Sequence, residues 1–271
     1  MEQVSTLNTA ITRLKHDVKI RKLTVTQIMP LSPLFTKITF FSEDLKDFVT
    51  ASPDDHVKVF FPDPETGHYS IPRLGPEGLQ TEEGQPEPLM RDYTPLNYNS
   101  KNKTLELIFF MRDKGAGALW AQKAKESDEL FIAGPRGSFV LSYIFDWYLI
   151  LTDESGLPSL QRRLQEMPKD AKGLVLAEIS KTSDAIKVQT QNTPQGIEIQ
   201  WLERTTGQKS IGSSDLFLQS LNNFTKPEGN GFVWIKTESY VALQLKNYIL
   251  QNNITKDEWI KASGYWKRTR S

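Results

Sequence analysis

No cysteine occurs anywhere in the 271 residues. Disulfides, thiolate nucleophiles, cysteine-ligated iron–sulfur clusters and cysteine zinc sites are thereby excluded, and any redox chemistry has to be carried by a bound cofactor. Net charge is absent as well, since 33 basic side chains balance 33 acidic ones. There is no global field to attract nucleic acid or an anionic membrane, so an anion site must be a local cluster. No run approaches the roughly 18 apolar residues of a membrane-spanning helix, and Met1-Glu2-Gln3-Val4-Ser5 lacks both the basic–apolar pattern and the cleavage site of a secretory leader. The expectation is a cytoplasmic protein with no nucleic-acid partner and no membrane insertion. Histidine is scarce: His16, His56 and His68 are scattered with no second ligand nearby, so no protein-held metal is expected. No serine sits in a nucleophile-elbow sequence, and no Gly-x-Gly-x-x-Gly fingerprint occurs.

What the chain does contain is two successive patterns. Its length suits one large domain or two of about 120 to 150 residues, with enough hydrophobic content for real cores. Residues 1–18 read as a helical or frayed leader. From Val18 onward short strands are expected at Arg21 to Met29, Phe35 to Phe41, His56 to Phe61, Met90 to Tyr98, Thr104 to Phe110 and Glu129 to Ala133, separated by Pro, Gly, Asn and Asp. Six short strands suggest a closed antiparallel barrel, with Asp63 to Pro88 as a long surface excursion. Near Tyr143 to Asp146 the pattern changes. Trp147 to Thr152 is an apolar run of the kind buried on both faces of a parallel sheet, and strands at Leu174 to Ile179, Ile197 to Leu202 and Phe232 to Lys236 alternate with helices at Ser159 to Met167, Ser213 to Asn222 and Ser239 to Gln251. The predicted organisation is an antiparallel barrel over residues 18–144 and a parallel α/β domain over 145–271.

Arg91-Asp92-Tyr93-Thr94 is the segment richest in chemistry. On a strand, Arg91 and Tyr93 share a face. An arginine fork suits a pyrophosphate, a tyrosine ring suits an aromatic system and a threonine hydroxyl suits a ring nitrogen, which together fit a flavin; an ordinary edge strand is the plain alternative. About twenty residues later, Asp113-Lys114-Gly115-Ala116-Gly117-Ala118-Leu119-Trp120 opens what reads as a helix continuing to Lys125, and its free amides could face phosphate. A flexible turn before a helix is the alternative. Gly134-Pro135-Arg136-Gly137-Ser138 reads as a turn closing the last barrel strand. Asp153-Glu154-Ser155-Gly156-Leu157-Pro158 ends the first parallel strand, where open α/β sheets bind ligands, but its carboxylates would repel phosphate unless they serve as helix N-caps. Gly264-Tyr265-Trp266-Lys267-Arg268-Thr269-Arg270-Ser271 reads as an aromatic and basic tail whose rings invite docking. Lys58, among apolar neighbours, reads first as an outward-facing strand lysine.

In this order the segments resemble the siderophore-interacting protein family, flavin-dependent ferric-siderophore reductases related to ferredoxin-reductase folds. Six stretches carry the resemblance: His56 to Pro62, Arg91 to Pro95, Gly115 to Ala121, Gly134 to Ser138, Asp153 to Pro158 and Gly264 to Lys267. It implies an FAD-binding barrel and an α/β domain that receives an electron donor, NADH, NADPH or a ferredoxin. Residue by residue it implies FAD contacts at Arg91, Asp92, Tyr93, Thr94 and Met111. Arg91 would hold the phosphates, Tyr93 would pack on the isoalloxazine and Thr94 would bond near its N5. The amides of Gly115, Ala116, Gly117 and Ala118 would hold the pyrophosphate, and Tyr265 and Trp266 would cover the flavin edge. Lys58, Arg136, Lys267 and Arg268 would line a pocket for an anionic ferric siderophore. Four places depart from the family: Leu96 stands where an arginine is usual, Met111 where a histidine is usual, Gly115-Ala116-Gly117-Ala118 where Gly-Pro-Ala-Ser is usual, which loses a hydroxyl but keeps the backbone donors, and Asp153-Glu154-Ser155-Gly156 where Asp-Glu-Thr-Ala is usual.

Overall fold

The computed structural model describes residues 10–75, 78–111, 115–185, 193–204 and 212–268. The chain divides between Ser142 and Tyr143 into two compact units.

The first unit is dominated by an antiparallel sheet. Its strands are β2 (Ile20–Ser32), β3 (Phe35–Phe41), β4 (Val57–Phe60), β7 (Met90–Tyr93), β8 (Asn97–Asn99), β9 (Thr104–Phe110) and β10 (Glu129–Ala133), and they lie in the order β7-β4-β10-β2-β3-β9-β8. β7 and β8 are therefore the two edges, yet only Thr94-Pro95-Leu96 separates them in sequence. Four Cα steps span at most about 15 Å, so the sheet has to curl until its edges approach, which makes it a barrel. The same three residues correct the expectation of one strand from Met90 to Tyr98. Pro95 supplies no N–H for a ladder, and Thr94, Pro95 and Leu96 all turn into the interior. Alternation sets the core, with Leu23 and Val25 of β2, Ile38 and Phe40 of β3, Val57 and Val59 of β4 and Leu105, Leu107 and Phe109 of β9 pointing inward. One helix, α1 (Ala116–Lys123), packs its Ala121 and Trp120 against this core and ends before the Lys125 expected from sequence.

The leader reading is corrected where the structure describes it. Ile11–Lys15 is a strand, β1, paired antiparallel with β11 (Gly137–Leu141). Its partner lies more than 120 residues away, so no local pattern signals the pairing. Residues 1–9 lie outside the described residues. The excursion from Asp63 to Pro88 carries a small antiparallel pair of its own, β5 (Arg73–Gly75) with β6 (Gly78–Gln80).

The second unit is a five-stranded parallel sheet. β12 (Trp147–Asp153), β13 (Lys172–Ile179), β14 (Gly196–Glu203), β15 (Gly231–Glu238) and β16 (Ile260–Trp266) run in the order β14-β13-β12-β15-β16. β12 and β15 are buried along their whole length, as strands covered on both faces must be, whereas the edge strand β14 is mostly exposed or half-buried. The helices are α2 (Leu157–Glu166), the short α3 (Thr182–Ala185), α4 (Asp215–Asn222) and α5 (Ser239–Gln251). α5 buries Val241, Ala242, Leu245 and Ile249, an apolar stripe of helical spacing that closes one face of the sheet with Phe217 and Leu221 of α4. The terminal segment is not a tail: up to Trp266 it is β16, paired with β15. Its Ala-Ser-Gly centre hides the strand, because small residues lack the β-branched signature. Thr269, Arg270 and Ser271 lie outside the described residues.

Candidate functional site

In the barrel unit the structure brings the Arg91 to Thr94 strand and the glycine-rich helix start into contact. Tyr93, at the end of β7, packs against Phe109 and Phe61, with ring centroids 4.7 and 6.0 Å away. Its hydroxyl lies over the first turn of α1: a Cβ added at Gly117 would sit 1.9 Å from the Tyr93 oxygen and 3.2 Å from Phe61. Only glycine leaves room for that phenol, and burial pushes the phenol's pKa well above its ordinary value. Among the described residues no side chain caps the start of α1. Gly115 occupies the N-cap without a side chain to accept a hydrogen bond, the first turn holds no acidic residue, and nothing stands within 4 Å of where a Gly115 Cβ would be. Backbone donors at a helix start with no cap favour an anion. Asp113 and Lys114, which head this turn in the sequence, lie outside the described residues.

Two residues before Tyr93, Arg91 is exposed and donates from Nη1 to the Met90 carbonyl at 2.7 Å; among the described residues it forms no ion pair. Its neighbour Asp92 is committed. Lys58 lies directly across the β4–β7 ladder and its Nζ is 2.9 Å from Asp92 Oδ1, so the cation assigned to substrate carries its own counter-charge. Thr94 is buried at the end of β7. Leu96 is a core residue whose amide donates to the Glu106 carbonyl at 2.9 Å, and Met111 packs half-buried on the barrel core with its amide bonded to the Leu34 carbonyl at 2.8 Å. At two of the departures, then, the structure has a buried leucine and a methionine packed on the barrel core. An arginine fork, a buried-edge phenol and an uncapped glycine-rich helix start fit the pyrophosphate and ring system of FAD.

The Gly134-Pro135-Arg136-Gly137-Ser138 turn does more than close a strand. Gly134 holds φ +100°, a conformation that favours glycine, before a cis bond to Pro135, and Arg136 projects to solvent. Ser138 is buried and donates from Oγ to Asp55 Oδ2 at 2.8 Å, while His16 Nε2 lies 2.7 Å from the same Oγ. Since the serine's one proton goes to the carboxylate, His16 must donate from Nε2. Asp55 Oδ2 also accepts from Thr50 Oγ1 at 2.8 Å and the Ala51 amide at 2.7 Å. Sequence reading missed this network because its members stand 83 and 122 residues apart.

In the second unit the strand order reverses between β12 and β15, the switch point at whose carboxyl edge open α/β sheets hold ligands. The carboxylates there are structural. Asp153 Oδ1 accepts from the Ser155 amide at 2.9 Å, and Oδ2 accepts from the Glu238 amide at 3.0 Å and from Trp266 Nε1 at 2.9 Å. Burial raises the Asp153 pKa. Glu154 Oε1 accepts from the Ser180 amide at 2.6 Å and from Arg204, whose Nη1 lies 2.9 Å from Glu178. Burial outweighs that arginine and pushes Glu178 up to about 7. Glu238 caps α5 through the amides of Tyr240 at 2.6 Å and Val241 at 3.0 Å, and also receives the Arg268 amide at 3.1 Å. Gly156 is required by close packing, since a Cβ would meet Thr152 Oγ1 at 2.2 Å and the Lys236 carbonyl at 3.0 Å. Tyr265 is tied to Ser159, 2.5 Å between hydroxyls, and Lys236 Nζ lies 5.3 Å from its ring centroid. Lys267 is exposed, as is Arg268. Of the four cations assigned to substrate, Lys58 and Arg136 belong to the first unit and Lys267 and Arg268 to the second.

An antiparallel barrel followed by a parallel α/β unit is the architecture of ferredoxin-reductase-like flavoproteins; the ferredoxin reductase of carbazole 1,9a-dioxygenase shares the fold at a TM-score of 0.63 and 14% identity, covering 93% of this chain and 70% of its own. The sequence narrows the class further. The siderophore-interacting FAD-binding domain matches residues 24–139 and the siderophore-interacting protein domain matches residues 145–269, so the chain belongs to the siderophore-interacting protein family. It is 33% identical over 255 residues to the NADPH-dependent ferric-chelate reductase of Escherichia coli, covering 94% of this chain and 95% of that protein. It is 30% identical over 243 residues to the ferric vibriobactin reductase of Vibrio cholerae, covering 87% of this chain and 84% of that one. Among solved structures, a siderophore utilization protein from T. fusca matches at a TM-score of 0.87 and 29% identity, covering 96% of this chain and 97% of its own. No helix among the described residues is long and apolar enough to cross a membrane.

Proposed function

We propose that the protein is an FAD-dependent reductase of ferric siderophores, drawing electrons from NADH or NADPH and working in the cytoplasm. The observation that carries this reading is Tyr93 seated on Gly117, which joins the Arg91 strand to an uncapped helix start in one anion-and-ring site. Bound FAD would accept two electrons from a hydride donor and release them singly. Arg91 holds the pyrophosphate with the amides of Gly115 to Ala118, Tyr93 flanks the ring system, and Thr94 offers its hydroxyl at the end of the strand. Asp92 contributes by anchoring Lys58. Lys58 and Arg136 on the barrel unit supply positive charge for an anionic chelate, and Lys267 and Arg268 are a second set on the other unit. Siderophore oxygens are hard donors that favour Fe(III), so one added electron weakens the complex and frees the metal.

The purified protein should be yellow. Its flavin absorption should bleach with NADPH and return when a ferric siderophore is added anaerobically. Parallel stopped-flow runs with NADH, NADPH and a reduced ferredoxin identify the donor. A colourless protein that takes up no FAD on reconstitution would sink the reading in favour of a non-catalytic siderophore-binding protein. Reoxidation by a protein acceptor alone, lost on charge reversal at Lys58 and Lys267, would make it a flavin oxidoreductase with a protein partner.

A further inference from the structure

A pocket of about 320 Å³ opens in the barrel unit; none of its lining residues is assigned to FAD or the ferric chelate, but Pro135 precedes Arg136 and the His16 amide donates to the Arg136 carbonyl at 3.0 Å. Its wall comes from three places: Lys15 at the end of β1 with His16 and Asp17 after it, Lys19 and Arg21 on either side of the start of β2, and Asp47 and Val49 with Gly134-Pro135 just past β10. Arg21 is 4% exposed and fixed, donating from Nε to the Asp44 carbonyl at 2.8 Å, from Nη1 to the Gly134 carbonyl at 3.2 Å and from Nη2 to Asp47 Oδ1 at 2.8 Å. Lys19 and Arg21 together hold Asp47 ionised, with its pKa lowered to about 2. His16 is fixed from one side by its Nε2 bond to Ser138. Lys15 and Lys19, by contrast, are exposed; Lys19 rests on Asp47 through a solvent-exposed ion pair that an incoming anion can share.

We propose that this pocket binds a small hydroxylated polyanion, of the hydroxycarboxylate or sugar-phosphate class. The charges decide the class. Three cations against two carboxylates, Asp17 and Asp47, leave a net attraction for an anion, while the carboxylates can only accept hydrogen bonds. A ligand bearing acid groups alone would meet repulsion from Asp17 and Asp47; one that also bears hydroxyls can direct those at the carboxylates and its acid groups at Lys15 and Lys19. The volume is at the small end of ligand pockets, which begin near about 300 Å³, and excludes a dinucleotide.

Titration calorimetry on the FAD-loaded, full-length protein tests this with citrate, its hydroxyl-free analogue tricarballylate, glucose 6-phosphate and inorganic phosphate. Citrate or glucose 6-phosphate is expected to bind saturably with a Kd below about 1 mM. Tricarballylate and phosphate should bind at least about tenfold more weakly, and the double variant Lys15→Gln/Lys19→Gln should weaken citrate by a similar factor. Lys58→Gln should leave the affinity unchanged. Absence of saturable binding by the first two probes overturns the site, as does binding that follows Lys58 instead of Lys15 and Lys19. Equal affinity for citrate and tricarballylate overturns the role given to the hydroxyl. Should the double variant not fold, Lys15→Gln alone alters one exposed side chain and is expected to weaken citrate about threefold, and no change there is equally decisive.

Discussion

The barrel edge around Arg91 and the carboxyl edge of the parallel sheet treat their polar groups in opposite ways. At the barrel edge the groups are left open: Arg91 is exposed with no ion pair among the described residues, and α1 starts without a side-chain cap, although elsewhere the same unit buries Asp55 and Ser138 and joins them to His16. In the α/β unit the polar groups at the carboxyl edge are buried and joined to one another, Asp153 to Trp266 and Glu238, Arg204 to Glu154 and Glu178. Under the proposed function the open groups are held for FAD, and the closed ones hold the fold. Substitutions in the first set should therefore be felt in FAD binding, and substitutions in the second in stability.

The largest effect expected is from Arg204→Met, which leaves Glu154 and Glu178 buried without their cation and should destabilise the protein by about 3–5 kcal/mol in urea denaturation. A loss below about 1 kcal/mol would break the contrast, because the cluster would then be dispensable. Gly117→Ala forces a methyl onto the Tyr93 hydroxyl and should cost about 1–3 kcal/mol together with most of the bound flavin. Adding Tyr93→Phe removes the clashing oxygen and should restore part of both. Flavin content measured across that double-mutant cycle sharpens the comparison, since no restoration would mean that the contact is not what joins strand and helix.

Arg91→Ala should weaken FAD by about tenfold to a hundredfold while leaving the thermal unfolding of the flavin-free protein unchanged, and Arg91→Lys should recover only part, because lysine lacks the planar fork. A fall in apoprotein stability would move Arg91 into the structural class. The smallest effect per step of the measurement is the pH dependence attached to Glu178, read one pH unit at a time. With its folded-state pKa near 7 and an ordinary unfolded value near 4.5, the native protein keeps a proton that the unfolded chain has released between those limits. Stability from this group is fully present below about pH 4.5 and declines as pH rises toward 7, by less than about 1.4 kcal/mol per unit. Glu178→Gln should flatten that slope in denaturation curves taken across the window; an unchanged slope would assign it to other groups.

The same contrast explains what the sequence could show. Phe35–Phe41, Thr104–Phe110, Glu129–Ala133 and Ser239–Gln251 lie where their alternation or helical spacing places them, because each pattern is complete within its own segment. β1 and β16 were hidden for different reasons: one needs a partner more than 120 residues away, and the other is built on Ala262, Ser263 and Gly264. The Arg91 to Thr94 strand and the Gly115 to Ala118 turn were visible as motifs because an open site is written in local sequence. The Asp55–Ser138–His16 network and the Arg204 cluster were not, since pairing is a property of three dimensions. Lys58 illustrates the limit: its type suggested an anion contact, but only the β4–β7 register shows that Asp92 faces it.

β11 ends at Leu141 and β12 begins at Trp147, so every strand of the barrel precedes every strand of the parallel sheet along the chain. Domains tend to fold in the order they are synthesised. A ribosome that has reached the start of β12 has already delivered Arg91, Tyr93 and the Gly115 to Ala118 turn, whereas β15 cannot receive its outer neighbour until Ile260–Trp266 has been made. If the barrel unit holds FAD as proposed, cofactor capture can precede completion of the second unit. Cellular flavin supply would then act on the nascent chain, early enough to influence how much of the finished protein is made in a usable form.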